Sequence, residues 1–260
     1  MDDKKMFAEE RQRNIFEHIR KNRRATLTEL CEKFGVSPAT MRNDLDEIQK
    51  QGTIKRTHGG AILTTKTSYE PLRSDRSENR EAKVAIARRA ADYIENGDTV
   101  AIDQGTTTYE MVPFLSEKKN ITVVVNDIEM ALALEKNTSA NIIMLGGQVR
   151  RNYSSVYGSL TLRCLDGLCV DKLFLATNSI SLPKGLTTPN DVTADVKKAL
   201  VAVSNEIVVL ADSSKFGRVS LYKILDCADA GTIITDDGID STLLSEFQDS
   251  GIHIELAARQ

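Results

Sequence analysis

The spacing of apolar residues changes character partway along the chain. Over residues 1–63 they recur at helical intervals: Ile15, Phe16 and Ile19, then Leu30, Cys31 and Phe34, then Met41, Leu45 and Ile48. Asn22 with Arg23 closes the first segment, Thr28 is the expected cap of the second, and Gly35 stops it. Ser37 offers an N-cap to the third, Pro38 fits its first helical position, and Gly52 terminates it. "TIKRTHGGAIL" then reads as a short hairpin with a Gly-Gly turn.

Beyond residue 77 short continuous apolar runs alternate with helical patterns. Strands are expected at Thr99–Asp103, Ile121–Val125, Asn141–Leu145, Lys172–Ala176, Glu206–Leu210, Gly231–Thr235 and Ile252–Leu256. Helices are expected at 78–95, 107–116, 128–136, 159–166, 191–204 and 241–250. Strands that are apolar on both faces are buried on both faces, so residues 78–260 predict an α/β domain with an open, mostly parallel sheet. Between the two regions, "TTKTSYEPLRSDRS" at 64–77 is polar and aperiodic and contains a proline, which predicts a linker.

Two short helices joined by a glycine turn make a helix-turn-helix, and the hairpin adds a wing. Opposite Met41, Leu45 and Ile48, the second of these helices carries Thr40, Arg42 and Asn43 near an N-terminus that starts at Ser37 and Pro38. Arg matches a guanine edge and Asn an adenine edge in a major groove. Lys55, Arg56 and His58 sit at or near the wing tip, suited to phosphate or minor-groove contact.

Net charge sharpens this division. The whole chain carries −3, yet residues 1–60 hold 13 Lys and Arg against 10 Asp and Glu, so the head is +3 and the remainder −6. Only the head is expected to meet nucleic acid phosphates. No apolar run is long enough to cross a membrane and the charged N-terminus lacks a signal-peptide core, so the chain is expected in the cytoplasm. The four cysteines lack the spacing and the histidine neighbours of a zinc site and are expected as buried free thiols; no metal or cofactor is implied.

In open parallel sheets ligands bind at the carboxyl ends of strands. The polar groups there are Asp103-Gln104-Gly105-Thr106-Thr107-Thr108, Asn126-Asp127, Gly146-Gly147-Gln148, Thr177-Asn178, Asp212-Ser213-Ser214-Lys215 and Thr235-Asp236-Asp237. Gly105 and the threonines can offer N–H groups and hydroxyls to an anion, Lys215 a countercharge, and Asp103, Asn126 and Asp212 bonds to sugar hydroxyls. Polar residues in these places also serve as caps of the next helix. The only histidines are His18, His58 and His253, and GxSxG, GxxxxGK[ST] and GxGxxG are absent. Triad hydrolases, P-loop NTPases and standard dinucleotide enzymes are thereby set aside. Carboxylate and lysine chemistry, such as a sugar-phosphate isomerase using Asp103, Asp212 and Lys215, stays open as the alternative.

Over nearly its whole length the chain resembles the DeoR family of bacterial transcriptional regulators. The resemblance is carried by "VSPATMRNDLDEIQKQG" and "RTHGGAI" in the head, and in the body by "DQGTTT", "VVVN", "LGG", "DKLFLATNSIS", "GLTTPN", "VKKAL" and "LADSSKFG". Arg42-Asn43 stands where many members have two arginines, and Ala176 and Ser179 where they often have glycine, which makes the pocket floor bulkier. The resemblance implies a sensor domain similar in fold to ribose-5-phosphate isomerase and the CoA transferases. It also implies a phosphorylated sugar effector at Asp103 to Thr108, Asn126, Lys197, Asp212 and Lys215. The expectation is a regulator, most often a repressor of a carbohydrate-catabolism operon, that binds operator DNA as a homo-oligomer (dimer or tetramer).

Overall fold

The computed structural model describes residues 8–22, 24–50, 54–57, 59–63 and 78–258. His58 and the expected linker at 64–77 lie outside them. The chain divides into two compact units, 1–69 and 70–260.

The first unit comprises α1 (Ala8–Asn22), β1 (Arg24–Thr26), α2 (Leu27–Phe34), α3 (Pro38–Lys50), β2 (Ile54–Thr57) and β3 (Gly60–Leu63). Ile15, Ile19, Leu30, Met41, Leu45 and Ile48 converge on one core, as their helical spacing requires. Gly35 takes a left-handed φ of 63° between α2 and α3, the conformation that turns one helix into the next at no side-chain cost. Thr28 is not the cap of α2. Thr26 is, in a reciprocal capping box with Glu29, because Thr26 keeps extended backbone while Thr28 is already inside the helix. The wing is also more than a hairpin: β1 adds a third antiparallel strand in the order β1-β3-β2. Gly60 admits that strand, since a Cβ there would lie 2.1 Å from the Ala25 carbonyl oxygen.

The second unit is built on seven strands, each close to an expected one: β4 (Thr99–Ile102), β5 (Thr122–Val125), β6 (Asn141–Met144), β9 (Val170–Ala176), β12 (Ser204–Leu210), β14 (Thr232–Asp236) and β15 (Ile254–Ala257). All of their pairings are parallel, in the order β15-β14-β12-β9-β4-β5-β6. Alternate residues feed two cores: Val100 and Ile102 one face, Ala101 the other. α4 (Arg80–Ala91) and α6 (Ile128–Asn137) cover the first face; α7 (Ser159–Leu165), α8 (Asp191–Ala202) and α9 (Ser241–Asp249) cover the second.

Two small antiparallel pieces were not visible in the periodicity. One is the hairpin β7 (Gln148–Arg150) and β8 (Ser155–Tyr157); the other is the sheet β10 (Ser179–Ser181), β11 (Gly185–Thr188) and β13 (Tyr222–Leu225). Their strands are three or four residues long, too short for a period of two to show. The helix expected at 107–116 breaks into α5 (Thr106–Tyr109) and a 3-10 turn, Val112–Leu115, at Pro113. Cysteine burial also departs from expectation. Cys227 is buried, with its thiol pushed up to about 11 by desolvation, but Cys164 on α7 and Cys169 in the loop before β9 are exposed.

Candidate DNA-reading face and effector pocket

In the first unit, burial of Met41, Leu45 and Ile48 leaves Arg42 and Asn43 exposed on the other side of α3. Ser37 accepts the Thr40 amide through its hydroxyl at 3.2 Å, and the Ser37 and Thr40 hydroxyls share a 2.9 Å hydrogen bond. Pro38 is exposed beside them. The entry of α3 is thus a capped, cation-bearing helix end. Arg56 is anchored to that helix, pairing with Asp46 at 2.5 Å and donating its amide to Gln49 Oε1 at 2.7 Å. Lys55 pairs through its backbone with Ile62 on β3. Asp44 is the one element of this unit that the spacing did not flag. Buried on α3, it accepts Arg11 Nε at 2.7 Å on one oxygen, and Gln12 Nε2 at 2.9 Å and Arg11 Nη2 at 3.2 Å on the other.

In the second unit, chain order reverses between β4 and β9. The chain runs from β4 out to β6, then returns to β9 and proceeds to β15 in the opposite direction. Helices diverge at such a switch point and leave a crevice at the carboxyl ends of the two strands. Asp103 directly follows β4 there and Ala176 ends β9. Asp103 is fully buried, with its Oδ2 paired to Lys197 from α8 and receiving the Ala176 amide at 3.2 Å. Lys197 also donates to the Ala176 carbonyl at 2.8 Å. Oδ1 of Asp103 has no hydrogen-bond partner at full bonding distance, although the Asn126 side chain lies near enough to favour the charged carboxylate. Burial raises the Asp103 pKa, and the Lys197 charge opposes that rise without cancelling it.

The loop after Asp103 is held open by neighbours. Asn126, directly after β5, accepts the Gln104 amide at 2.8 Å. A Cβ on Gly105 would meet Ala176 Cβ at 2.6 Å and Thr108 Oγ1 at 2.9 Å, so only glycine fits beside this bulkier floor. Thr108 departs from its expected role: its buried hydroxyl donates to the Asp103 carbonyl at 2.7 Å and braces the loop. Thr107 is buried and Thr106 half-buried.

The remaining strand-end groups sort into two kinds. Asp127 caps α6 through the Met130 amide at 2.9 Å, and Asp236 is occupied by Ser213 N at 2.7 Å, Ser213 Oγ at 3.0 Å and Gly238 N at 3.1 Å. These are caps and braces. Asp212 stands beside a lysine. Its Oδ1 takes Asn79 Nδ2 at 3.0 Å, Ser214 N at 3.1 Å and the Ser214 hydroxyl, while its buried Oδ2 has no hydrogen-bond partner and only Lys215 Nζ at 3.7 Å. Burial pushes this carboxyl up, but Lys215 and the Ser214 hydrogen bond prevail and hold it below the ordinary value.

Sequence reading missed Lys83. It lies on α4 beside the inward positions Ala82 and Ile86 and is itself buried. Desolvation, then the like charge of Lys215, lower its pKa; Asp212 partly offsets them. The signal was present as a lysine between inward-facing residues at the start of an amphipathic helix. Asp103 with Lys197, and Asp212 with Lys215 and Lys83, thus give two buried half-open carboxylates and three cations in one unit. Among the described residues no group of His, Cys, Asp and Glu is placed to hold a metal ion, and no helix is long and apolar enough to cross a membrane.

Residues 11–67 match the model of the DeoR-like helix-turn-helix domain, and residues 78–237 that of the DeoR C terminal sensor domain. A putative aga operon transcriptional repressor of Escherichia coli O157:H7 is 34% identical over 95% of this chain and 93% of its own length. The transcriptional repressor AccR of Agrobacterium fabrum is 35% identical over 88% and 90%, and the regulator GolR of Listeria innocua 31% over 97% and 100%. Among solved structures, the full-length sorbitol operon regulator SorC of Klebsiella pneumoniae has a TM-score of 0.43 at 10% identity, covering 90% of this chain and 98% of that one. A ribose-5-phosphate isomerase solved with phospho-erythronic acid has a TM-score of 0.40 at 17% identity, covering 53% and 54%. Relatives spanning nearly the whole chain are transcriptional repressors and regulators, so the isomerase alternative is set aside.

Proposed function

The chain belongs to the DeoR family of transcriptional regulators, and from that premise we propose that it represses a carbohydrate-catabolism operon under the control of a phosphorylated sugar. The observation that carries the effector reading is Asp103: a fully buried carboxylate at the switch point with one oxygen lacking a donor. A buried acceptor left open costs roughly 1–3 kcal/mol, which a ligand hydroxyl recovers on binding. Lys215 and Lys83 supply the charge for a phosphate, and Gly105, Thr106, Thr107 and Asn126 shape the loop beside it. Lys197 holds Asp103 in place, Asp212 offers its open oxygen to a second hydroxyl, and Thr108 braces the loop.

In the head, Arg42 and Asn43 read base edges, while Ser37, Pro38 and Thr40 bring the α3 entry against the backbone. Lys55, Arg56 and His58 of the wing meet phosphates. The protein acts as a homo-oligomer in the cytoplasm, because paired heads match repeated half-sites. Effector control requires a coupling of roughly 1–3 kcal/mol between the sites.

A thermal-shift screen of the full chain against phosphorylated pentoses and hexoses tests the effector, since a ligand that binds only the folded state raises its melting temperature. At least one sugar phosphate shifts the melt while its unphosphorylated parent does not; equal shifts from both would defeat the phosphate assignment. Arg42→Ala weakens operator binding by roughly 1–3 kcal/mol while leaving that thermal shift intact. An unchanged footprint would remove α3 as the reading helix.

A further inference from the structure

The two edges of the seven-stranded sheet are not alike. At the β15 edge Glu255 is tied to Arg89 and accepts the Tyr93 hydroxyl at 2.8 Å, so charge stands on the strand. At the β6 edge there is none. Residues 137–149, "NTSANIIMLGGQV", hold no charged side chain in a chain that is 27% charged. Edge strands ordinarily carry Lys, Pro or bulges against unwanted pairing, and β6 lacks all three.

Apolar surface gathers around the same strand. Of ten large apolar side chains exposed among the described residues, five belong to β6 or its neighbours: Ile143 and Met144 at 37%, and Leu132, Val149 and Leu160 at 54%. Leu132 is on α6, which packs on β6. Val149 is in the hairpin that follows. Leu160 opens α7, whose next residue, Thr161, donates to the Gly146 carbonyl at 2.7 Å just beyond the strand. Exposed Cys164, one turn after Leu160, faces Gly146 too: a Cβ there would lie 3.7 Å from its sulfur. Ile143 and Met144 point to opposite faces of the sheet, so the edge is bare on both.

The backbone is equally open. Asn141 and Leu145 direct their amides to Ile121 and Val125 of the β5 side, at 3.0 and 2.9 Å. By alternation, the N–H and C=O groups of Ile142 and Met144 point outward, where only another strand satisfies them in register. We infer that the β6 edge is a self-association surface, and that its occupant is β6 of a second copy of this chain, paired antiparallel about a two-fold axis perpendicular to the sheet.

Three features select a second copy over a foreign partner. The strand itself has no charge that would choose an unlike strand, and a two-fold axis makes it complementary to itself and closed at two copies. Such an axis keeps each sheet face on its own side, so opposed residues must share parity. Centring on Ile143 opposes Ile143 to its own copy and Ile142 to Met144, apolar against apolar throughout. The outward groups of Ile142 and Met144 then form the hydrogen-bonded pairs, and Ile143 the close pair, with Cα atoms about 4.5 Å apart. Finally, a reader that uses one helix per half-site gains from a paired second head. The oligomer proposed above leaves its contact surface open; β6 supplies one, independently of the effector assignment.

The test uses the full-length chain. Wild type sediments as a dimer at micromolar concentration. Ile143→Lys and Ile143→Glu, each alone, place like charges directly opposite and raise the dimer dissociation constant roughly a hundredfold or more. Mixing these two variants restores the dimer, which a merely misfolded variant would not do. In a Cys164→Ser, Cys169→Ser background, Ile143→Cys cross-links to its copy under mild oxidant, because that Cα separation fits a disulfide. Leu256→Cys at the opposite edge does not. A monomeric wild type, a dimer indifferent to both charges, or cross-linking only through Leu256→Cys would each overturn the assignment.

Discussion

Each region of the molecule buries carboxylates, and the two treat them differently. In the head, both oxygens of Asp44 are filled by Arg11 and Gln12, so the group locks α1 to α3 and has nothing left to offer. In the body, Asp103 and Asp212 each keep one buried oxygen without a hydrogen-bond partner, although lysines stand close by. Completed hydrogen bonding marks a group that holds a fold together; a buried oxygen left without a donor beside a lysine has capacity for a ligand hydroxyl. The difference also explains where the head acts. The groups proposed to read DNA, Arg42 and Asn43, lie on the surface, as a partner too large to enter a pocket requires.

The sharpest way to break this contrast is at the closed carboxylate. Asp44→Ala leaves Arg11 and Gln12 without their shared acceptor and destabilises the head by roughly 2–3 kcal/mol, softened because Arg11 can turn toward water. Urea denaturation followed in the head reads the loss. Affinity of the body for sugar phosphate stays within error, and a fall in it would mean that Asp44 does more than lock the helices. Lys215→Ala gives the reverse pattern. Its 3.7 Å pair with Asp212 is long and its side chain partly exposed, so stability moves by less than about 1 kcal/mol. Effector affinity measured by calorimetry falls roughly 10–100-fold, the worth of a charge-assisted hydrogen bond.

How visible the contrast was in the sequence depends on the kind of group. Apolar runs such as "TVAI" and "VVLA" display the sheet because every residue but Thr99 is buried, and Gly35, Ser37 and Pro38 display the turn between helices because their backbone preferences are local. Asp103 and Asp212 were legible as strand-end carboxylates. Whether an oxygen is open was not, since that depends on Ala176 and Asn79, which arrive from elsewhere in the chain. Asp127 and Asp236 look the same in sequence and proved to be a cap and a brace. Lys83 escaped notice because a lysine on a helix is usually solvated, and only the packing of α4 buries it.

Lys83 offers a smaller and more pointed test. Its depressed pKa means that the folded state prefers it neutral, so its charge opposes folding at pH values below that pKa. Lys83→Met therefore raises the melting temperature of the ligand-free protein, by on the order of 1 kcal/mol in stability, and weakens phosphate binding at the same time. In wild type, effector affinity declines as pH rises through a lysine titration lying below the ordinary lysine range, and the variant lacks that decline. A variant that loses stability would show that Lys83 supports the fold instead of the ligand.

The smallest effect separates the two half-open carboxylates from one another. Asp212 has a folded pKa below its unfolded value, so its contribution to stability is fully present above the ordinary aspartate range and disappears as pH falls through the folded value. Asp103 has a folded pKa above its unfolded value, so its contribution is present below the ordinary range and is lost as pH rises through the raised value. The same domain therefore contains two opposed acid limbs. In melts taken from about pH 3 to pH 7, Asp212→Asn flattens the acid loss of stability in the body, because an amide has no proton to take up. A saturating sugar phosphate acts on the other limb. A hydroxyl donated to Asp103 favours its ionised form, so the ligand-induced rise in melting temperature grows with pH across the Asp103 titration. A shift that shrinks over that range would mean that the open oxygen of Asp103 is not where the effector binds.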